Sequence, residues 1–358
     1  MILAGPGGLA AAGFAIGLAF GAIVYRTNFC TMGSISDLMT FGDGRRFRAW
    51  ILAAATALIG AQVLQATGVV DLGQSMYLGT NLNWVGHIAG GLMFGFGMVL
   101  AGGCASKNLA RAGGGDLRAL ITLVIIGLTA FAAIGGILGP LRATIEQATA
   151  IDLKGFGLSS QSIGAMFGKT VGSGRGEVLI AAVIAAVALI ACFRDESFRS
   201  SPVHSLSGLG VGLCVVAGWA VTGLAFDDMA TKPTPPVSLT FVRPTGDAID
   251  WLQRFTAARI PGFGTATVFG ALIGAALTSL AMGRFKLTTY SDARDARRNL
   301  GGALLMGIGG VLALGCTVGQ GITGISTLAL GSFLTFAAIV AGGVQGMRHI
   351  ERVMMAEA

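Results

Sequence analysis

The chain has 358 residues, 53% of them hydrophobic, and its 58 glycines outnumber its 24 basic and 17 acidic residues combined. Charged residues make up 11% of the chain, against roughly 25% in soluble domains. So few charges cannot cover a water-exposed surface, which excludes a soluble enzyme, a disulfide-rich secreted scaffold and a disordered chain. The composition therefore predicts an all-α integral membrane protein built from glycine-rich helices.

Nine apolar segments follow one another along the chain, and most reach the length of about 20 residues that a membrane-spanning helix needs. In order they are 7–24, 49–68, 86–103, 119–139, 178–193, 206–225, 263–282, 301–315 and 325–346. Lys and Arg collect in cytoplasmic loops. An external N-terminus would put the loops with the most Lys and Arg on the cytoplasmic side. We therefore expect an external N-terminus and a cytoplasmic C-terminus. The net charge of +7 reflects these loops, and we expect no binding of nucleic acid.

The apolar segments contain an internal repeat. Residues 90–104 and 302–316 are identical at nine of 15 positions, including a Cys at the end of each. Two sets of four segments separated by one connecting span must enter the membrane from opposite faces. This predicts an inverted repeat with pseudo-two-fold symmetry, an architecture whose substrate sites lie where the halves meet. The expected organisation is one transport domain, 1–358, with a first repeat 1–140, a connector with one span 141–205, and a second repeat 206–358 that carries an external insertion 227–262.

Three of the five cysteines lie where an apolar segment ends early, namely Cys30, Cys104 and Cys316. The glycine-rich stretch 315–324 does not favour a continuous helix. Irregular backbone at membrane depth is tolerated where it is buried in protein or lines a cavity, and its free N–H groups favour an anion. The alternative is that each Cys simply packs as a small apolar residue. We keep that interpretation for Cys192 and Cys214, and we assign the glycines spaced four apart to close helix packing.

The cysteine motifs carry a family resemblance. Thr27-Asn28-Phe29-Cys30-Thr31-Met32-Gly33, Gly102-Gly103-Cys104-Ala105-Ser106 and Gly315-Cys316-Thr317-Val318-Gly319-Gln320-Gly321 resemble motifs of the YeeE/YedE family, a sulfur-transport domain family whose characterised members take up thiosulfate. The resemblance covers almost the whole chain. It implies an inverted repeat of nine membrane helices plus short re-entrant or broken helices, in the bacterial inner membrane. It also implies that the three matching cysteines line an hourglass-shaped pathway. Members often work with a small cytosolic sulfur-carrier protein of the TusA type.

Two features depart from that family. Lys107 stands where some members have a small residue, and the insertion 227–262 is longer than in compact members. The expected function is uptake of thiosulfate or a related sulfur-containing anion, with no cofactor and no metal. The alternatives are a transporter of another anion, such as a selenium compound, and a membrane thiol enzyme that passes sulfane sulfur to a cytosolic carrier. The expected partners are the anion, membrane lipid and the carrier protein. The expected substrate-binding residues are Cys30, Cys104, Cys316, Thr27, Asn28, Thr31, Gly103, Ser106, Lys107, Gly315, Thr317 and Gln320.

Overall fold

The computed structural model describes residues 5–171, 176–227 and 234–357, and nearly all regular structure in these ranges is helical. The helices are α1 Pro6–Thr27, α2 Thr31–Phe41, α3 Arg45–Ala66, α4 Gly91–Leu100, α5 Ala105–Gly113, α6 Leu117–Ile134, α7 Gly139–Thr149, α8 Ile163–Val171, α9 Gly176–Phe193, α10 Glu196–Arg199, α11 Pro202–Leu224, α12 Val242–Gln253, α13 Phe263–Ala281, α14 Ala293–Leu312 and α15 Leu330–Glu357. Turns of π-helix span Gly86–Gly90 and Gly319–Gly324, and one short antiparallel pair joins β1 Asn81–Leu82 to β2 Ile151–Asp152.

Eight helical stretches of the described residues are long and apolar enough to cross a membrane. They are Pro6–Phe41, Arg45–Ala66, Gly86–Gly113, Leu117–Ile134, Gly176–Phe193, Pro202–Leu224, Phe263–Ala281 and Leu330–Ala356. The predicted all-α, multi-pass membrane protein is thereby confirmed. The predicted segment 301–315 has no counterpart among the eight. It forms the second half of α14, whose first turns carry several charges and which ends at Leu312.

The expected irregular backbone at 315–324 is shorter than the sequence suggests. Only residues 313–316 separate α14 from a new short helix, 317–326, whose centre is the π-helical Gly319–Gly324. The glycines in it allow close packing. A methyl group at Gly321 would lie 2.4 Å from the Phe336 ring, and one at Gly324 would lie 2.2 Å from the Ser332 hydroxyl. The glycines of 315–324 thus allow close packing against α15, in addition to the break in the helix before Cys316.

The glycines spaced four apart do mediate close helix contacts, as predicted. A methyl group at Gly17 would lie 2.3 Å from the carbonyl oxygen of Thr267, which brings α1 against α13. One at Gly212 would lie 2.7 Å from the carbonyl oxygen of Ala53, which brings α11 against α3. Backbones that approach so closely leave no room for a side chain, so these stripes set the helix spacing.

Ion pairs between the ends of neighbouring helices identify one face of the protein. Arg48 pairs with Asp195 at 3.0 Å and Arg118 pairs with Asp295 at 3.3 Å. The first ion pair joins segment 42–48 to 194–205, and the second joins 105–118 to 283–299. Arg46 and Lys107 both bond to Asn28, which links the two pairs. We call the side where these four basic segments meet the basic face. The β1–β2 pair follows the other end of α3, Ala66, in the chain, and we call that side the opposite face. Residues 228–233 of the predicted insertion and 172–175 of the predicted connector lie outside the described residues. The described part of the insertion contains one helix, α12.

Candidate functional site

Each of the three predicted cysteines stands immediately before the first residue of a helix. Cys30 precedes α2, Cys104 precedes α5, and Cys316 precedes the short helix 317–326. All three thiols are free and almost completely buried. The N-terminus of a helix presents unpaired N–H groups and a partial positive charge. The structure therefore places each thiol beside a group of donors that suits an anion.

Cys30 and Cys316 share one local arrangement. Each begins a Cys-Thr-x-Gly sequence, and each sulfur accepts a hydrogen bond from the backbone N–H of the Gly, at 3.5 Å from Gly33 and 3.4 Å from Gly319. The sulfur caps the helix in the way a serine oxygen does. Because the sulfur accepts this bond, its own S–H proton is free to point elsewhere.

The threonine that follows each of these cysteines is buried with an unsatisfied hydroxyl. Thr31 and Thr317 are both 0% exposed, and their hydroxyl oxygens have no hydrogen-bond partner among the described residues. A buried hydroxyl without a partner costs free energy, so such groups are rare unless a ligand or water satisfies them. These two hydroxyls are thus candidates for binding the oxygen atoms of an anion.

Cys104 has a different environment. It follows Gly102 and Gly103, whose φ angles of 71° and 152° lie in the left-handed region that glycine tolerates. Its thiol lies 3.3 Å from the Ser106 hydroxyl and makes no cap to its own helix. The Cys30 thiol and the Thr317 side chain also lie within interacting reach of it, although the Thr317 hydroxyl forms no bond of good geometry. Cys104 therefore lies near both Cys-Thr-x-Gly segments.

The breaks before Cys104 and Cys316 have the same hydrogen bonds, 212 residues apart in the chain. The Gly103 N–H donates to the Met98 carbonyl and the Gly315 N–H donates to the Gly310 carbonyl, both at 2.8 Å. The repeat that the sequence shows up to each Cys is thus also a repeat of local backbone structure.

Gln320, which we expected to bind substrate, supports the second of these breaks. Its amide donates to the Ala313 carbonyl at 2.7 Å, and its oxygen accepts from the Ser332 hydroxyl at 2.6 Å. Asn108 does the same at the first break, where it donates to the Gly103 carbonyl at 2.8 Å. Both amides therefore hold the backbone that positions a thiol.

The remaining predicted residues near Cys30 lie at the basic face. The Lys107 ammonium donates to the side-chain oxygen of Asn28, the left-handed residue that ends α1. The Thr27 hydroxyl donates to the Ile23 carbonyl at 2.7 Å, within α1. The Thr27 hydroxyl is thus satisfied inside the helix. Of these three residues, only Lys107 carries a charge, and that charge lies near Cys30 and Cys104.

Sequence reasoning missed Thr240. Its hydroxyl lies 3.9 Å from the Cys316 sulfur, the outer limit for a bond to sulfur, and the neighbouring Leu239 carbonyl accepts from Thr323 at 2.7 Å. Residues 234–241 have no regular secondary structure, and Ser238, Leu239 and Phe241 within them are buried. The only signal was that an apolar stretch, Val-Ser-Leu-Thr-Phe-Val, follows the two prolines 235 and 236 inside an otherwise polar insertion.

A cavity of about 220 Å³ adjoins Thr240 on the side away from the basic face. Gly315, Arg142 and Arg243 also line it. Arg142 pairs with Glu146 at 2.6 Å, so its charge is largely compensated. The cavity reaches Gly315, the residue before Cys316.

These contacts define a class of protein: an all-α membrane protein in which three thiol-bearing helix starts meet between the two faces. Residues 26–345 match a family model described as sulphur transport, and the chain belongs to that family. It is 28% identical over 338 residues to a thiosulfate transporter named TsuA from Spirochaeta thermophila, with 92% of this chain and 96% of the relative covered. It is 24% identical over 333 residues to the thiosulfate transporter TsuA of Escherichia coli, covering 87% and 86%. A probable transporter named YedE from Salmonella typhimurium is 34% identical over 102 residues, 28% of this chain and 24% of the relative.

Proposed function

We propose that this protein transports thiosulfate, or a closely related sulfur-containing anion, across the membrane along a pathway lined by Cys316, Cys104 and Cys30. Family membership and the transporter relatives support the coarser statement, a transporter of a sulfur anion rather than an enzyme. The observation that carries the proposed pathway is that Thr240, the three buried cysteines, Thr317 and Lys107 lie near one another in a series from Cys316 to the basic face.

The pathway solves a problem of charge. Thiosulfate is a dianion, and moving an unpaired charge from water into an apolar medium costs tens of kcal/mol on a simple solvation estimate. Full neutralisation by buried cations would bind the ion too tightly to release it, because conduction needs several sites of moderate affinity. Thiols, hydroxyls and the N-termini of helices are such moderate sites.

The order of contacts suggests the order of steps. The anion enters from the opposite face through the cavity beside Thr240 and reaches the Cys316 thiol, with the Thr317 hydroxyl next to it. Cys104 and Ser106 then receive it, since Thr317 and Cys104 adjoin. The free S–H groups face the soft terminal sulfur, and the hydroxyls donate to the oxygens.

The last stretch passes Cys30. Thr31 supplies the second unsatisfied hydroxyl, and Lys107 is the cation at the end of the series. Gly103, Gly315 and Gln320 act by shaping the two breaks. We propose that the basic face is cytoplasmic, because loops rich in Lys and Arg remain on that side of a bacterial inner membrane. This places Cys316 nearer the outside.

The paired helix contacts support an inverted repeat. Gly17 of α1 packs on Thr267 of α13, and Gly212 of α11 packs on Ala53 of α3. Exchanging the two repeats turns the first of these helix contacts into the second. Gly90 packs on the Gly309 carbonyl, and Gly302 packs on the Gly97 carbonyl, which is the same contact after the two repeats are exchanged. The pathway would then lie along the pseudo-two-fold region where α4 and α14 meet.

The experiment is uptake of radiolabelled thiosulfate into proteoliposomes that contain only this protein, with sulfate, sulfite and selenite as competitors and protein-free liposomes as the control. We expect saturable uptake that unlabelled thiosulfate suppresses most strongly. Correctly folded protein that takes up a competitor but no thiosulfate would contradict the substrate. Thiosulfate-dependent formation of a stable persulfide on Cys104 with release of sulfite, without uptake, would contradict transport and indicate a sulfur-transfer enzyme.

A further inference from the structure

The side chain of Lys107 crosses the gap between the two segments that carry Cys30 and Cys104. Lys107 lies three residues after Cys104, and its stem covers Gly103, where an added methyl group would lie 3.0 Å from the Lys107 Cγ atom. Its ammonium donates to the side-chain oxygen of Asn28, two residues before Cys30. One hydrogen bond therefore joins the segment that carries Cys30 to the segment that carries Cys104, and both thiols are buried behind it, at 4% and 1% exposed.

Lys107 differs from Arg46 and Arg111, the two arginines nearest to it, in having no acidic partner within the described ranges. Arg46 pairs with Asp37 at 2.8 Å and Arg111 pairs with Asp116 at 2.6 Å. Among the residues that the structure describes, the Lys107 ammonium bonds only to a neutral amide. Its charge is thus the uncompensated one beside Cys30 and Cys104.

The other side of this contact is fixed. The Asn28 backbone carbonyl accepts a hydrogen bond from Arg46 at 2.8 Å, and its φ of 57° is the left-handed end of α1. The chain segment of Asn28 is therefore held in place, whereas the Lys107 side chain has a flexible stem and can turn without backbone movement. A neutral acceptor is also easily exchanged, because an ammonium binds an anion more strongly than an amide oxygen.

We propose that the Lys107–Asn28 hydrogen bond is a latch on the pathway, and that an arriving dianion opens it by taking the place of Asn28 as the partner of Lys107. This rests on the proposed anion transport. The latch keeps the two thiols closed to the basic face while the pathway is empty. It admits ions in proportion to their negative charge, since only a charged ligand competes with Asn28. When the anion leaves, Lys107 returns to Asn28.

The test measures the accessibility of Cys104 from the basic face. A membrane-impermeant thiol reagent is applied to that face, and modification of the Cys104 peptide is followed by mass spectrometry. A positively charged and a negatively charged reagent are used in separate samples, so that a change of local charge is not mistaken for opening. The variants are Asn28→Gly, which tolerates the left-handed backbone, Asn28→Asp, which offers Lys107 a carboxylate, and Lys107→Met.

We expect Asn28→Gly to raise the modification rate with both reagents by about tenfold, the effect of a tenfold larger open population. Asn28→Asp should lower the modification rate below that of the wild type and slow thiosulfate uptake, because the anion must then displace a carboxylate. Lys107→Met should open the thiols and yet reduce uptake, because the charge is lost. Arg26→Met removes an exposed cation two residues from Asn28 and is the matched control, with no change expected.

Equal modification rates in the wild type, Asn28→Gly and Asn28→Asp would overturn the latch, whatever the transport result. If the variants differ as expected but the wild type takes up no thiosulfate, the latch stands and the proposed substrate is wrong. The two failures are therefore separate.

Discussion

The Cys-Thr-x-Gly segments at Cys30 and Cys316 begin their helices in one way, and the segment at Cys104 begins α5 in another. In the first two, a Gly N–H fixes the sulfur and an unsatisfied threonine hydroxyl follows. In the third, two left-handed glycines precede a thiol that bonds to Ser106 and adjoins both other segments. The difference suggests two fixed end sites and one central site that communicates with both.

The largest expected effect is at the central site. Cys104→Ala removes the thiol that links the two ends, and we expect the initial rate of thiosulfate uptake to fall by at least about 50-fold, or about 2.3 kcal/mol. Cys214→Ala is the matched control, because Cys214 is also buried but lies within α11, away from the breaks. It should transport within about twofold of the wild type, as expected for a residue outside the pathway. Uptake that persists in Cys104→Ala would refute the central role.

The backbone before the thiols offers a second comparison. Gly103 has a φ of 152°, and an added methyl group there would lie 3.0 Å from Lys107 Cγ. At Gly315 the φ is ordinary for an L-residue, and the nearest atom, Gln320 Cγ, would lie 3.2 Å away. We expect Gly103→Ala to lower the free energy of unfolding by about 1–2 kcal/mol. Gly315→Ala should cost less, about 0.5 kcal/mol, since only a side chain must move.

Thermal unfolding in detergent, followed by intrinsic tryptophan fluorescence, measures this difference. Gly103→Ala should have the lower melting temperature of the two. Equal melting temperatures would show that the two breaks are under the same backbone constraint, despite their different φ angles.

The sequence predicts much of the site because its repeat is non-local. Identical positions 212 residues apart cannot come from local propensity, so the amino-acid sequence alone is enough to single out Cys104 and Cys316. Thr240 could not be found in this way. It lies in a segment without helical or strand periodicity, and its approach to Cys316 depends on how that segment folds inward. The hydrogen bonds of Gln320 were also hidden, because an amide can bind a ligand or the backbone and the sequence does not show that Ala313 and Ser332 are its partners.

The smallest expected effects are at Thr31 and Thr317, the buried threonines of the two end sites. Thr31→Val and Thr317→Val remove hydroxyls that have no partner in the described part of the chain. No internal hydrogen bond is lost, so the melting temperature should stay within about 1 °C or rise, as when an unsatisfied polar group is replaced by an apolar one. If the hydroxyls donate to the anion, the KM for thiosulfate should rise about three- to fivefold in each variant, or about 0.6–1 kcal/mol.

Thr323→Val is the matched control for both. Thr323 is equally buried, but its hydroxyl donates to the Leu239 carbonyl at 2.7 Å. Its loss leaves a buried acceptor unpaired, which should destabilise the fold by about 1–3 kcal/mol and leave the KM unchanged. Replacing Thr31 or Thr317 should thus change the KM for thiosulfate, whereas replacing Thr323 should change the stability of the fold. A lower melting temperature with a normal KM in Thr31→Val and Thr317→Val would mean that these hydroxyls support the fold. The segments at Cys30 and Cys316 would then resemble each other only in how the sulfur caps the helix.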